Sequence, residues 1–111
     1  MVNTVFLLHY SLSTQALKLV KQIIAVDSSR LPREVVRTVV AVSGHKEDNF
    51  RRVCLETLKE LAVADPRVVA HTNGFRVLLA AAIDPANQDL AEPLVATLMS
   101  IIEDPATRRY V

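Results

Sequence analysis

The chain has 111 residues, with 13 basic against 12 acidic for a net charge of +1; half of it is apolar, yet it holds three Phe, two Tyr and no Trp. That is the length of one ordinary domain, and the short pairs Arg51-Arg52 and Arg108-Arg109, beside carboxylates, fall well below the basic footprint of a nucleic-acid binder. A single cysteine, Cys54, excludes an internal disulfide framework and a Cys-rich zinc site and favours a reducing compartment.

The opening Met1 to Leu8 lacks a basic region and a small-residue cleavage site, so it reads poorly as a signal peptide. The first amphipathic segment spans about Thr14 to Val26, with Ser13 as its N-cap; Ala16, Val20, Ile23 and Ile24 share a face, with Leu17 alongside. A shorter apolar piece follows from Glu34 to Val42, with the turn Ser43-Gly44-His45 after it. The second long helix runs from about Glu47 to Ala64 on the stripe Phe50, Cys54, Leu58, Leu61 and Ala62. The turn Thr72-Asn73-Gly74 precedes a second short piece, Phe75 to Ile83. The third long helix spans about Leu90 to Glu103 on Leu90, Leu94, Leu98, Ile101 and Ile102, flanked by Val95 and Met99. The two short pieces show little polar relief and are expected to lie buried within a stack. The longest apolar run, Val77 to Ile83, is too short to span a bilayer, so the expectation is a soluble cytoplasmic chain.

The pattern repeats. Each long helix runs into an aspartate and then a proline: Asp27 with Pro32, Asp65-Pro66, and Asp104-Pro105, the prolines 34 and 39 positions apart. Proline suits the first turn of a helix, where its missing N–H breaks no bond, and an aspartate before it caps that turn. A period in the high thirties built from helices alone is the pattern of armadillo and HEAT arrays. The expected fold is therefore all-α, an armadillo/HEAT-like solenoid fragment of about two and a half to three repeats, with residues 1–111 as one region cut from a longer array. The alternative is a single bundle of four or five helices in which the corners recur by chance.

Candidate chemistry is sparse. His9, His45 and His71 each stand alone, without the i, i+4 spacing of a helical metal site. Cys54 lies in an apolar stripe, as a small buried hydrophobe would. No Gly-rich or Gly-Lys-Ser/Thr phosphate loop occurs. Glu56 and Glu60 could share a helix face, where pairing with Arg and Lys is the ordinary explanation. No catalytic residue, cofactor or metal is expected.

The run Thr14-Gln-Ala-Leu-Lys-Leu-Val-Lys-Gln-Ile-Ile-Ala-Val26 resembles the N-terminal armadillo-like region of the Rictor family, companions of the TOR kinase. The likeness continues through Leu31-Pro32, Ala41 to Gly44, Leu61 to Ala70 and Gly74 to Leu79. It closes with Leu98-Met-Ser-Ile-Ile-Glu-Asp-Pro-Ala-Thr-Arg-Arg-Tyr-Val111, in one collinear order over roughly residues 13 to 111. The resemblance implies a non-catalytic scaffold of TOR complex 2, an assembly that phosphorylates kinases of the AGC group, with the TOR kinase and a Sin1-like subunit as partners. The rival is an armadillo/HEAT solenoid of another system, such as a transport receptor. In armadillo arrays the third helix of each unit lines the concave side, which makes Arg52, Glu56, Lys59 and Glu60 the partner-facing candidates, plain solvent exposure being the alternative. Unsatisfied end stripes, Val20/Ile23/Ile24 and Leu94/Leu98/Ile101, predict self-association through the end helices.

Overall fold

The computed structural model describes residues 2–44 and 48–107, with side chains from residue 15 onward. The described residues form six α-helices: α1 Val2–Asp27, α2 Arg33–Val42, α3 Asp48–Ala64, α4 Pro66–His71, α5 Gly74–Ile83 and α6 Ala91–Glu103. Two 3₁₀ turns, Ser28–Arg30 and Pro85–Leu90, join α1 to α2 and α5 to α6. The all-α class is as the periodicity predicts.

The three long helices, α1, α3 and α6, lie side by side with α3 in the middle, packed against both neighbours. Helices α2, α4 and α5 back this row, α2 against α3, α4 against α3 and α6, and α5 along α6. The slab is 21 Å in its thinnest direction, about two helix diameters. Being central, α3 has the most deeply buried stripe: Phe50, Cys54, Leu58, Leu61 and Ala62 are all buried, as the spacing predicts, and Leu55 joins them. The core continues through Leu17, Val20 and Ile24 of α1, Val36, Val39 and Val40 of α2, Val69 of α4, Leu78 of α5 and Leu94, Leu98 and Ile101 of α6.

Several expectations are corrected. Helix α1 does not begin at a Ser13 cap but runs back to Val2, because nothing from Val2 to Leu12 is a glycine or proline that would stop it. Ala16 and Ile102 lie outside the buried stripes, and Ile23 is only half-buried. Helices α2 and α5 are one-sided rather than engulfed: Arg33, Glu34, Arg37 and Thr38 face solvent on α2, and Leu79 and Ile83 on α5. A two-layer slab leaves the outer face of each short helix uncovered. The end stripes expected to be open are closed within the chain, since Val20 and Ile24 at one end and Leu94, Leu98 and Ile101 at the other are buried. Among the described residues the large apolar side chains left outward are others: Leu19 and Val26 on α1, Val63 on α3, Leu79 and Ile83 on α5, and Val95, Met99 and Ile102 on α6.

The corners have a common chemistry with one exception. At Asp65-Pro66 the aspartate carboxylate accepts from Val68 N–H at 3.4 Å and the proline is the first helical residue of α4. At Asp104-Pro105 the carboxylate accepts from Ala106 N–H at 2.9 Å. A further corner, Asp84-Pro85, which the repeat reading did not mark, makes the same contact to Ala86 N–H at 2.9 Å. Three residues after each of these last two aspartates a buried polar side chain turns back: Asn87 donates to the Ala81 carbonyl at 3.3 Å, and Thr107 to the Ile101 carbonyl. The exception is the first corner. Asp27 caps the Ser28–Arg30 turn, accepting from Ser29 N–H at 3.1 Å, and Pro32 stands at the N-cap of α2 with no side chain to offer. Its proline follows the aspartate by five positions rather than one, so the two cannot serve one helix start.

Between α4 and α5 the chain reverses at Asn73, in the left-handed region at φ 69°. Gly74 follows because there is no room for anything larger: a Cβ there would lie 2.5 Å from Val69 Cγ1 and 2.7 Å from the Val69 carbonyl oxygen.

Candidate partner-facing surface

The four sequence-predicted residues lie on one stripe of α3. At 100° per residue, Arg52, Glu56, Lys59 and Glu60 fall within about 100° of arc, opposite the buried Cys54 and Leu58. Val63, 75% exposed, continues the same stripe one turn further on. Because α3 lies between α1 and α6, both neighbours reach this face.

From α1, Lys21 Nζ stands 3.4 Å from Glu56 Oε1 and 3.9 Å from Glu60 Oε2. From the turn before α6, Asp89 is clasped by both terminal nitrogens of Arg52, with Nη2 to Oδ1 at 3.1 Å. Arg52 Nε also donates to Asp48 Oδ2, one helical turn back, at 3.0 Å. Below this surface layer the buried Arg51 donates from Nε to Asn87 Oδ1 at 2.9 Å and from Nη2 to Asp48. Asn87 is held in turn by Ala81, so α3 is tied to the α5–α6 link through a chain of satisfied polar groups. A planar guanidinium suits such two-pronged pairing better than an ammonium would.

Hydrogen bonds from Arg52 and then Arg51 hold the Asp48 carboxyl below the usual carboxylate range, and those from Arg52 do the same for Asp89. The two carboxylates in turn raise Arg52 above its ordinary value. The structure thus brings Arg52, Glu56, Lys59 and Glu60 together and places three of them in ion pairs within the chain. The sequence reading missed their counterparts Lys21 and Asp89. Asp48 was legible as the residue four before Arg52, whereas Asp89, 37 positions away, carries no local signal.

Burial pushes the Cys54 thiol up to about 12, which leaves it protonated and unreactive at neutral pH. No group of three His, Cys, Asp or Glu able to hold a metal occurs among the described residues. His45 lies outside the described residues, as does the side chain of His9. Among the described residues no helix is long and apolar enough to cross a membrane.

Stacked helical units with a fixed polar stripe on the central long helix define a helical-repeat protein. The chain belongs to the Rictor family: the model of the N-terminal region of the rapamycin-insensitive companion of mTOR matches residues 13–111. It is 36% identical over 97 residues to protein pianissimo A of Dictyostelium discoideum, covering 87% of this chain and 8% of that one. To the rapamycin-insensitive companion of mTOR of Homo sapiens it is 35% identical over 101 residues, 88% of this chain and 6% of the relative. A subunit of target of rapamycin complex 2 from Schizosaccharomyces pombe is 32% identical over 78 residues, 69% of this chain and 6% of that one. The chain thus spans less than a tenth of the length of these relatives. No solved structure matches it.

Proposed function

We propose that this chain is a non-catalytic scaffold segment of a TOR complex 2 subunit, acting in the cytoplasm as part of an assembly that phosphorylates AGC-group kinases. The observation that carries the reading is the family match over residues 13–111, joined to a fold whose polar groups are used for holding helices rather than for chemistry. Residues 1–111 act as one helical-repeat region, and the exposed apolar residues of α5 and α6, Leu79, Ile83, Val95, Met99 and Ile102, give it a face on which further helices or a second copy can stack. Partners are the TOR kinase and a Sin1-like subunit.

The stripe Arg52, Glu56, Lys59 and Glu60 is the contact surface in this reading. Its internal ion pairs hold Arg52, Glu56 and Glu60 near one conformation before a partner arrives, which lowers the ordering cost of binding. Lys59 has no ion pair among the described residues and is the group most available to a partner carboxylate.

The test is affinity capture from lysate with the longer subunit that carries this segment, compared with its Lys59→Glu variant. Recovery of the TOR kinase and a Sin1-like protein, reduced in the variant, is the expected result. An unrelated set of proteins would sink the complex assignment; unchanged recovery by the variant would remove the stripe from the contact.

A further inference from the structure

A further cleft lies away from the α3 stripe. It has a volume of about 870 Å³ and lies where the corners that end the three long helices converge, lined from the Ser28–Arg33 segment, from Asp65 to His71, and from Pro105 and Ala106. Its cations occupy matching places: Arg33 directly follows Pro32, and Arg67 directly follows Pro66. Both are exposed, and neither makes an ion pair among the described residues. His71, in the last turn of α4, lines the same wall. The one carboxylate in the lining, Asp65, is already turned to the α4 backbone, accepting from Val68 N–H. Leu31 and Val36, both buried, supply an apolar floor.

The first turn of α2 opens at this cleft too. Pro32 at its N-cap offers no side-chain acceptor, so the N–H of Arg33, which lines the cleft, is left for solvent or a ligand. The cleft therefore combines cations repeated along the stacking direction, a free backbone donor and an apolar base. A single small anion would use only one corner of it. A nucleic acid would ask for a far larger basic surface than two arginines provide.

We infer that this corner cleft is a docking groove for an extended acidic peptide segment of a partner protein, one in which carboxylates alternate with apolar side chains. The carboxylates meet Arg33 and Arg67, and the apolar side chains settle over Leu31 and Val36. Alternation is required because successive side chains of an extended segment point to opposite sides. The groove deepens the scaffold reading by adding a second contact surface with a stated partner chemistry.

The experiment is a fluorescence anisotropy titration of the purified chain with a labelled eight-residue peptide of alternating Glu and Leu, beside its Lys/Leu counterpart. Binding of the acidic peptide alone is expected, weakening with added salt. Arg33→Glu combined with Arg67→Glu should weaken it by at least about tenfold, since charge reversal converts attraction into repulsion. Arg37→Glu with Arg76→Glu, exposed arginines outside this cleft, should leave it unchanged. Should the Glu pair lose helical circular dichroism, Arg33→Gln with Arg67→Gln carries the same comparison. Equal affinity for both peptides, an unchanged affinity in the Arg33/Arg67 variants, an equal loss in the Arg37/Arg76 control, or displacement by inorganic phosphate at matched concentration would each overturn the proposal. Because the titration needs no other subunit, its failure leaves the capture result standing, and failure of the capture leaves the titration standing.

Discussion

The two units that follow α1 are built from the same parts and begin differently. The first enters through the Asp27-capped Ser28–Arg30 turn and a single ten-residue backing helix, α2; the second enters through an Asp65-capped α4 and a sharp reversal into α5. The difference traces to one spacing. Where proline follows aspartate immediately, the carboxylate and the ring organise one helix start together. Where four residues intervene, the carboxylate closes a short turn and the proline merely precedes a helix. A shared pair of residue types thus sets a corner only when the register between them is right.

The sharpest way to break this comparison is at the two glycines that follow the backing helices. Gly74→Ala should cost about 1–3 kcal/mol, because its Cβ meets Val69 side chain and backbone together. Gly44→Ala should cost nothing and add about 0.4–1 kcal/mol through the unfolded chain, since nothing lies within 4 Å of its Cβ position and its φ is not positive. Urea unfolding midpoints of the two variants check this, and a similar loss in both would defeat the account of the α4–α5 reversal.

The aspartates sharpen it next. Asp65→Ala removes a cap from a true helix and should destabilise by about 1 kcal/mol. Asp27→Ala loses only an exposed turn and should stay within about 0.5 kcal/mol of the parent. Thermal midpoints decide, and equal losses would mean that the first corner caps as the second does.

The smallest expected effect concerns the tie between the units. Asp48 and Asp89 have their carboxyls lowered by Arg52 and Arg51. Such groups stabilise above the unfolded carboxylate value, near ~4, and that contribution disappears as pH falls through their lowered folded values. Asp89→Asn should therefore be less stable than the parent at pH 7 and lose less on acidification to pH 3. A parallel pH dependence of the two urea midpoints would show that the Arg52–Asp89 clasp is not formed in solution.

Much of this fold was legible in the residues and some was not. The α3 stripe could be read because Phe50, Cys54, Leu58, Leu61 and Ala62 keep the helical period against a charged remainder. The start of α1 could not, since a helix that lacks a breaker announces no boundary. Asp84-Pro85 was passed over because a single corner per unit was expected, although its backbone contact matches that at Asp104-Pro105. The candidate stripe was legible as a helix face, but its counterparts Lys21 and Asp89 were not, because pairs between units are set by stacking. The corner cleft lay hidden for the same reason: Arg33 and Arg67 become neighbours across one cleft only once the units pack.

The two ionic ties of α3 lie on the same side of the slab, Lys21 reaching in from one neighbour and Asp89 from the other. In mechanical terms the row of long helices is a beam with an apolar web and, among the described residues, tension members along one flange. Any carboxylate that competes for Lys21, or any cation that competes for Asp89, loosens that flange while the buried web stays intact, so the natural response of this row to a charged neighbour is to change its bend rather than to come apart.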